Sequence, residues 1–313
     1  MDAAGAAIEV ESLTKVYPGA RVPALADLTV RVEPGEIFGI IGPNGAGKTT
    51  LLGCLLGLLR PQRGRISIGG RPPDDLELRR SIGYLPERLE FDRWMTGRQL
   101  MSYHHALARQ PSERRAEDVA ALLSRVELEP GKWDMSVRRY SRGMLQRLGL
   151  AQALVGAPRF LFLDEPASGV DPAGVLVFRQ VLSELKASGV TVVLNSHQLD
   201  QIERVCDRVA YIEGGQVRTI EDLRSVASGK RVLVVRWLPE AQPRPRANLA
   251  GLAAQTGAEL LAAEPTRAQF SVLAAEGAAA LVRALVGAGL AVIEVTPQTN
   301  RLERLFTTPR GDA

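Results

Sequence analysis

Residues 42–49 read Gly42-Pro43-Asn44-Gly45-Ala46-Gly47-Lys48-Thr49 and complete the pattern G-x-x-x-x-G-K-[ST]. The apolar segment Ile37–Ile41 runs directly into this stretch, and the helical pattern of Thr50–Leu56 follows it. Glycines let backbone N–H groups point inward around phosphates, and the start of the next helix adds a positive potential. The stretch therefore predicts a loop that binds a nucleoside triphosphate.

The roles expected in this loop follow from the chemistry of each residue type. Lys48 brings a positive charge to the phosphates and assists their transfer, and the Thr49 hydroxyl is suited to bind Mg²⁺. The residues expected to surround the phosphates are Gly42, Pro43, Asn44, Gly45, Ala46, Gly47, Lys48, Thr49 and Thr50.

A second motif, Phe160-Leu161-Phe162-Leu163-Asp164-Glu165, places two acids after four apolar residues. Four such residues predict a buried strand, and ligands in α/β sheets lie at the carboxyl ends of the strands. Asp164 is suited to coordinate Mg²⁺, and Glu165 is suited to polarise a water for attack on the terminal phosphorus. Together the two motifs predict nucleotide hydrolysis.

Composition narrows the class of protein. The 313 residues are 45% hydrophobic and 24% charged, and no uncharged apolar run reaches the roughly 18 residues of a membrane span. The N-terminus lacks the pattern of a signal peptide, and Cys54 and Cys206 read as buried thiols in a reducing compartment. The net charge of +4 comes mainly from dispersed arginines, so no nucleic acid partner is expected and the protein is predicted to be cytoplasmic.

The order of patterns predicts an α/β protein with two domains. Strand, helix and strand over 160–194 indicate a parallel sheet, and helical patterns begin at Thr96, Ser112 and Ser141. Beyond residue 229 the order becomes β-α-β-β-α-β, followed by an amphipathic turn over 301–306. We expect a nucleotide-binding domain over 1–228, with a helical subdomain over about 90–152, and a small α+β domain over 229–313.

The segment Tyr140-Ser141-Arg142-Gly143-Met144 precedes the second motif and resembles the L-S-G-G-Q signature of the ATP-binding subunits of ABC transporters. Ser141 and Gly143 match, and Ser141 can cap a helix whose start binds anions. The resemblance covers about residues 8–220. It implies a P-loop NTPase fold with a RecA-like sheet and a helical subdomain. It also implies that Ser141 and Gly143 contact the γ-phosphate held by a second subunit.

Further residues take positions that this family uses. Tyr17 stands where the family stacks an aromatic ring on adenine, and His197 stands where the family has a histidine that contacts the γ-phosphate. The segment Ser168-Gly169-Val170-Asp171 resembles the family loop that runs along the seam between two subunits. The resemblance thus implies catalytic roles for Glu165, His197 and Lys48.

In the signature, Tyr140, Arg142 and Met144 depart from the family pattern, and a further departure concerns a metal ligand. Glu87 follows Tyr84-Leu85-Pro86, where many members have a glutamine that reaches Mg²⁺ and the attacking water. A glutamate can still bind Mg²⁺, so the metal ligands are expected to be Thr49, Glu87 and Asp164. Bacterial exporters of this family often have this L-P-E variant. The C-terminal stretch 296–306 is similar to the ending of such exporters.

The two motifs predict binding of ATP and Mg²⁺, and the resemblance implies an ATPase subunit of an ABC exporter. The expected partners are membrane-spanning subunits and a second copy of the chain, at the inner face of the cell membrane. The alternative is a soluble ABC-type ATPase that acts in assembly or translation, although translation-related members usually carry two cassettes and this chain carries one. A small-molecule kinase conflicts with the signature segment and with the Asp164-Glu165 pair.

Overall fold

The computed structural model describes residues 6–224, 230–239, 248–297 and 302. The chain divides into two compact units, Met1–Glu221 and Asp222–Ala313. The domain boundary expected between residues 228 and 229 falls outside the described residues, and it stays a prediction.

The first unit contains two sheets. A three-stranded antiparallel sheet has the order β2-β1-β4, and a six-stranded sheet has the order β5-β6-β7-β3-β8-β9. The strands are β1 Ile8–Lys15, β2 Leu25–Val32, β3 Ile37–Ile41, β4 Arg63–Ile68, β5 Ile82–Leu85, β6 Phe160–Asp164, β7 Thr191–Asn195, β8 Arg208–Glu213 and β9 Gln216–Asp222. The helices are α1 Lys48–Leu55, α2 Leu76–Arg79, α3 Gly97–Leu107, α4 Arg115–Arg125, α5 Arg142–Ala153, α6 Pro172–Ala187 and α7 Leu199–Val205.

The strands β3, β6 and β7 form the centre of the six-stranded sheet, and every residue in them is buried. They pair in parallel with one another, and β5 and β8 pair in parallel on either side. A parallel sheet is covered on both faces, so its strands need continuous apolar runs. The parallel arrangement predicted from residues 160–194 is confirmed.

Two of the three helix starts predicted between β5 and β6 are confirmed. Thr96 forms a capping box with Gln99 at the start of α3, and Ser141 caps α5 by accepting from the backbone N–H of Met144. The start predicted at Ser112 is wrong, because this residue opens a short 3₁₀ turn and α4 begins only at Arg115. The Ser112 hydroxyl donates to the Glu113 carboxylate, and no side chain caps α4.

The second unit has the predicted order β-α-β-β-α-β. Its elements are β10 Lys230–Trp237, α8 Leu249–Gln255, β11 Glu259–Glu264, β12 Arg267–Leu273, α9 Ala274–Gly287 and β13 Val292–Pro297. The antiparallel sheet has the order β11-β12-β10-β13, with Phe270 and Leu281 in a core of its own. This is the small α+β fold expected for the tail. The turn expected over 301–306 lies outside the described residues apart from Leu302, which is buried.

Candidate functional site

Four neighbouring parallel strands end at the same edge of the six-stranded sheet, and each leads into a predicted site segment. The strand β3 leads into the loop 42–49, β5 into Glu87, β6 into Glu165 and β7 into His197. Because these strands are parallel and adjacent, their carboxyl ends form one continuous edge, which is where α/β sheets hold ligands.

Close packing of backbone against backbone explains two glycines of the phosphate loop. Gly42 has φ of 154°, and a Cβ atom there would lie 2.1 Å from the carbonyl oxygen of Ile212 on β8. Gly47 has φ of 105° and caps α1, and a Cβ atom there would lie 2.4 Å from the carbonyl oxygen of Ala24. Neither place can hold a side chain, so both positions require glycine.

The Lys48 ammonium folds back over the same loop. Its Nζ atom donates to the carbonyl oxygens of Gly42 at 2.8 Å and Pro43 at 3.0 Å. Burial lowers the pKa of Lys48, although the charges of Glu165 and Asp164 oppose this shift. The charge thus lies between the loop and the two acids, where an anionic ligand would stabilise it.

Asp164 is buried at the end of β6, and its carboxylate has one firm partner. The side-chain amide of Asn195 donates to its Oδ1 atom at 2.5 Å. Burial raises the pKa of Asp164, and the charges of Glu87 and Glu165 add to the rise against the opposing effects of Asn195 and Lys48. A carboxylate in these surroundings gains stability from a cation.

Glu165 has a strained backbone and a well-defined side chain. Its φ is +50°, a left-handed value that is rare outside glycine, and its N–H donates to the carbonyl oxygen of Asn195 at 2.8 Å. Its Oε2 atom lies 2.8 Å from His197 Nδ1 and accepts from the Ser196 hydroxyl at 3.4 Å. The carboxylate is 11% exposed and the histidine 63%, so the pair reaches from the protein interior to the surface.

The oxygen atoms at this edge fit a magnesium ion. The charge of Glu87 acts on Asp164, and Thr49 is the exposed second residue of α1, next to Lys48. These donors are all oxygens, as Mg²⁺ prefers. Among the described residues no group of three or more His, Cys, Asp and Glu side chains could hold a metal alone. Such a site is typical of Mg²⁺ bound partly by phosphate oxygens.

Tyr17 lies at the edge of the phosphate loop. Its hydroxyl is 3.2 Å from the Thr50 Oγ1 atom, and the residue is 41% exposed. The Lys15 ammonium lies 5.8 Å from the centre of its ring. A ring that is anchored at its hydroxyl and partly open to solvent can stack on a planar ligand.

Ser141 is the N-cap residue of α5 and Gly143 lies in its first turn, and among the described residues the Ser141 hydroxyl makes no hydrogen bond to the phosphate loop. The Ser141 hydroxyl binds within α5, at the Met144 N–H. A Cβ atom at Gly143 would meet no atom within 4 Å. The start of α5 thus presents open backbone to its surroundings.

Comparison with known proteins places this geometry in a family. Residues 25–168 match the family model described as ABC transporter. The daunorubicin resistance ATP-binding protein DrrA3 of Streptomyces coeruleorubidus is 35% identical over 323 aligned residues, which cover 99% of this chain and 97% of that protein. The chain belongs to the ABC transporter ATP-binding proteins. The resemblance inferred from the signature and the acid pair is confirmed.

Other relatives match a smaller share of the chain. An ABC transporter ATP-binding protein of Synechocystis sp. is 38% identical over 67% of this chain, and the match spans 61% of that relative's length. A solved structure of a dimeric ATP-binding cassette, bound to ADP and Pi after hydrolysis, has a TM-score of 0.65 and 25% identity. It covers 69% of this chain and 99% of that one.

Within this ABC protein, sequence reasoning missed three residues that position the acids. Asn195 binds Asp164 through its side chain and Glu165 through its carbonyl, Ser196 donates to Glu165, and buried Gln146 donates to the Glu165 carbonyl oxygen at 3.4 Å. Asn195 and Ser196 directly precede His197 at the end of β7. Polar residues at a strand end beside another strand's acids are a signal that could have found them.

Proposed function

We propose that this chain is the ATP-binding and ATP-hydrolysing subunit of an ABC exporter and works through separate membrane-spanning subunits. One observation carries the proposal. The phosphate loop, Asp164 and the Glu165–His197 pair lie at adjacent carboxyl ends of one parallel sheet, as hydrolysis of a bound triphosphate requires.

The residues of the loop would hold ATP through its phosphates. Backbone amides of residues 42–50 and the Lys48 ammonium would bind the phosphate oxygens, and Tyr17 would stack on adenine. Thr49, Asp164 and Glu87 would hold Mg²⁺, which neutralises charge on the phosphates when bound. In this arrangement Lys48 exchanges its present partners, the Gly42 and Pro43 carbonyl oxygens, for stronger anionic ones.

Glu165 would act as the general base of hydrolysis. Its carboxylate would take a proton from the attacking water, and His197, 2.8 Å away, would orient the carboxylate by donating to Oε2. A base held by a second side chain keeps one geometry, which is what an in-line attack needs. Asn195 and Gln146 would fix the backbone beneath it.

A second subunit would complete the site. The open start of α5 at Ser141 and Gly143 has amide groups that suit a phosphate bound by the other copy. The dimeric cassette described above supports this assembly, and we propose a homodimer. ATP would then join the two subunits, and hydrolysis would release them.

The exporter assignment is supported by the relative that matches nearly the whole chain. That protein is named for daunorubicin resistance, and a transporter ATPase gives resistance when a drug moves outward. In the described parts of the chain no helix has the length and the apolar character to span a membrane. As an ATPase subunit of an exporter, the chain is proposed to lie at the cytoplasmic face of the cell membrane, on partner subunits that cross it.

Affinity purification of the tagged chain from mild detergent tests the proposal. We expect an integral membrane protein to co-purify and the complex to hydrolyse Mg-ATP, with Asp164→Asn as the inactive control. Recovery with ribosomes or a soluble assembly, and without a membrane protein, would contradict the transporter assignment and favour the soluble alternative.

A further inference from the structure

Arg142 occupies the first position of α5, where the family signature has glycine, and its side chain leaves the helix. The Nη2 atom donates to the Ser168 hydroxyl oxygen at 3.0 Å. A cation in the first turn of a helix opposes the positive end of the helix dipole, and α5 has no acidic residue there to compensate. Arg142 thus does not stabilise α5 through the helix dipole. Its hydrogen bond to Ser168 indicates a different role.

The turn that Arg142 reaches is the one that carries Glu165. The N–H of Ser168 donates to the Glu165 carbonyl oxygen at 3.0 Å, which closes the turn. Gln146 lies one helical turn after Arg142 on α5 and donates to the same carbonyl oxygen. Residues four apart lie on one face of a helix, so this face of α5 contacts the turn at both Glu165 and Ser168.

Gly169 makes room for the arginine. A Cβ atom at this position would lie 2.3 Å from Arg142 Nε and 2.4 Å from its Cζ atom. The guanidinium therefore lies against bare backbone as well as beside the Ser168 hydroxyl. Ser168 and Gly169 thus both contact the Arg142 side chain. They follow closely after Glu165, whose backbone is strained with φ of +50°.

We propose that Arg142 is a positioning residue for hydrolysis, which holds the turn from Glu165 to Ser168 so that the carboxylate keeps its place beside His197. The inference rests on the proposed function. Ser141 and Gly143 flank Arg142, and both are proposed to contact phosphate held by the second subunit. Arg142 then links phosphate contact at the start of α5 to the placement of the base in the same chain.

The contribution of the Arg142–Ser168 hydrogen bond to hydrolysis depends on whether a second subunit is bound. In the single chain the bond between Arg142 and Ser168 is exposed, and water competes for both groups. A second subunit placed over the start of α5 would exclude water, and a hydrogen bond from a charged donor is stronger in a medium of low dielectric constant. Loss of this hydrogen bond should therefore lower kcat and should have little effect on the stability of the single chain.

A double-mutant cycle on the purified full-length chain tests the proposal. We measure kcat and KM for Mg-ATP with Arg142→Ala, Ser168→Ala and the double variant. Each single variant should lower kcat roughly tenfold, as expected for the loss of one charge-assisted hydrogen bond. KM should change less than about twofold, because the contact positions the base and does not bind the nucleotide. The double variant should be no slower than the singles, and Arg142→Lys should restore part of kcat.

Arg125→Ala is the matched control. Arg125 Nε lies 3.1 Å from Glu184 Oε2, and the pair is remote in sequence from the Glu165 turn, so this variant should keep the kcat of the unaltered chain. An unchanged kcat in Arg142→Ala would overturn the inference alone. Additive losses of kcat in the double variant together with a raised KM would also overturn it, because the guanidinium would then act on the nucleotide directly. A lack of hydrolysis by the unaltered chain would overturn the proposed function and this role with it.

Discussion

At the scale of the residue, the site depends on charges that balance only in the presence of a ligand. Lys48 is partly buried and bonded to neutral carbonyl oxygens, while Asp164 is buried beside Glu87 and Glu165. Burial shifts the pKa of Lys48 downward and that of Asp164 upward. Both shifts disfavour the charged forms, and both would be reversed by an anion at the lysine and a cation at the acid.

Lys48→Ala should abolish hydrolysis and weaken ATP binding at least tenfold, because one charge-assisted contact to phosphate is lost. The fold should survive, since the bonds of the ammonium among the described residues are to its own loop. Equilibrium binding of a fluorescent ATP analogue, with circular dichroism as the check on folding, measures both effects. Normal turnover in the folded variant would be incompatible with the proposed nucleotide site.

Glu165→Gln should slow the chemical step by roughly 10²–10⁴, the usual contribution of a positioned general base. The amide keeps the shape of the carboxylate, so ATP binding should persist. Unhydrolysed ATP should then hold two copies together, and size-exclusion chromatography with Mg-ATP should show a dimer.

The second substitution Ser141→Arg is the control for that dimer, because it fills the open start of α5. The dimer of the Glu165→Gln chain should disappear when Ser141→Arg is added. Hydrolysis by Glu165→Gln at the rate of the unaltered chain would show that Glu165 is not the base.

At the scale of the element, the phosphate loop is held by its packing against β8. The Gly42 backbone approaches the Ile212 carbonyl so closely that only hydrogen fits in place of a side chain. Gly45 also has a positive φ, of 79°, but a Cβ atom there would meet nothing within 4 Å. These two glycines of the loop thus meet different physical demands, close approach to β8 at Gly42 and a left-handed backbone conformation at Gly45.

Gly42→Ala should lower the free energy of unfolding by about 2–4 kcal/mol, because overpacking adds to backbone strain. Gly45→Ala is the matched control and should cost only about 1 kcal/mol for its left-handed conformation. Thermal unfolding of the two variants beside the unaltered chain measures the difference. Equal melting temperatures for the two variants would contradict the close approach of the loop to β8.

At the scale of the whole molecule, the proposed nucleotide ligands all belong to the first unit. Every proposed ligand of ATP or Mg²⁺ precedes residue 200, and the second unit has its own sheet and its own core. A unit with its own core can fold without its neighbour. We therefore propose that residues 229–313 are an accessory domain that serves dimerisation or regulation.

Removal of residues 230–313 should leave a folded fragment that binds ATP with an affinity within about threefold of the full chain, since no proposed ligand is lost. Isothermal titration with a non-hydrolysable analogue gives the affinity, and circular dichroism reports folding. A folded fragment that fails to bind nucleotide would show that the two units are not separable in function.

The sequence by itself determined the phosphate loop, the acid pair, the parallel sheet and the β-α-β-β-α-β order of the tail. The two motifs follow from the spacing of residues within one short segment, and the sheet and the tail order follow from the succession of such segments along the chain. Tertiary structure alone decided the contacts that join distant segments. Asn195 donates to Asp164 and Arg142 donates to Ser168. These residues are far apart in the sequence, and only the folded chain brings the ends of β6, β7 and α5 close enough for such bonds.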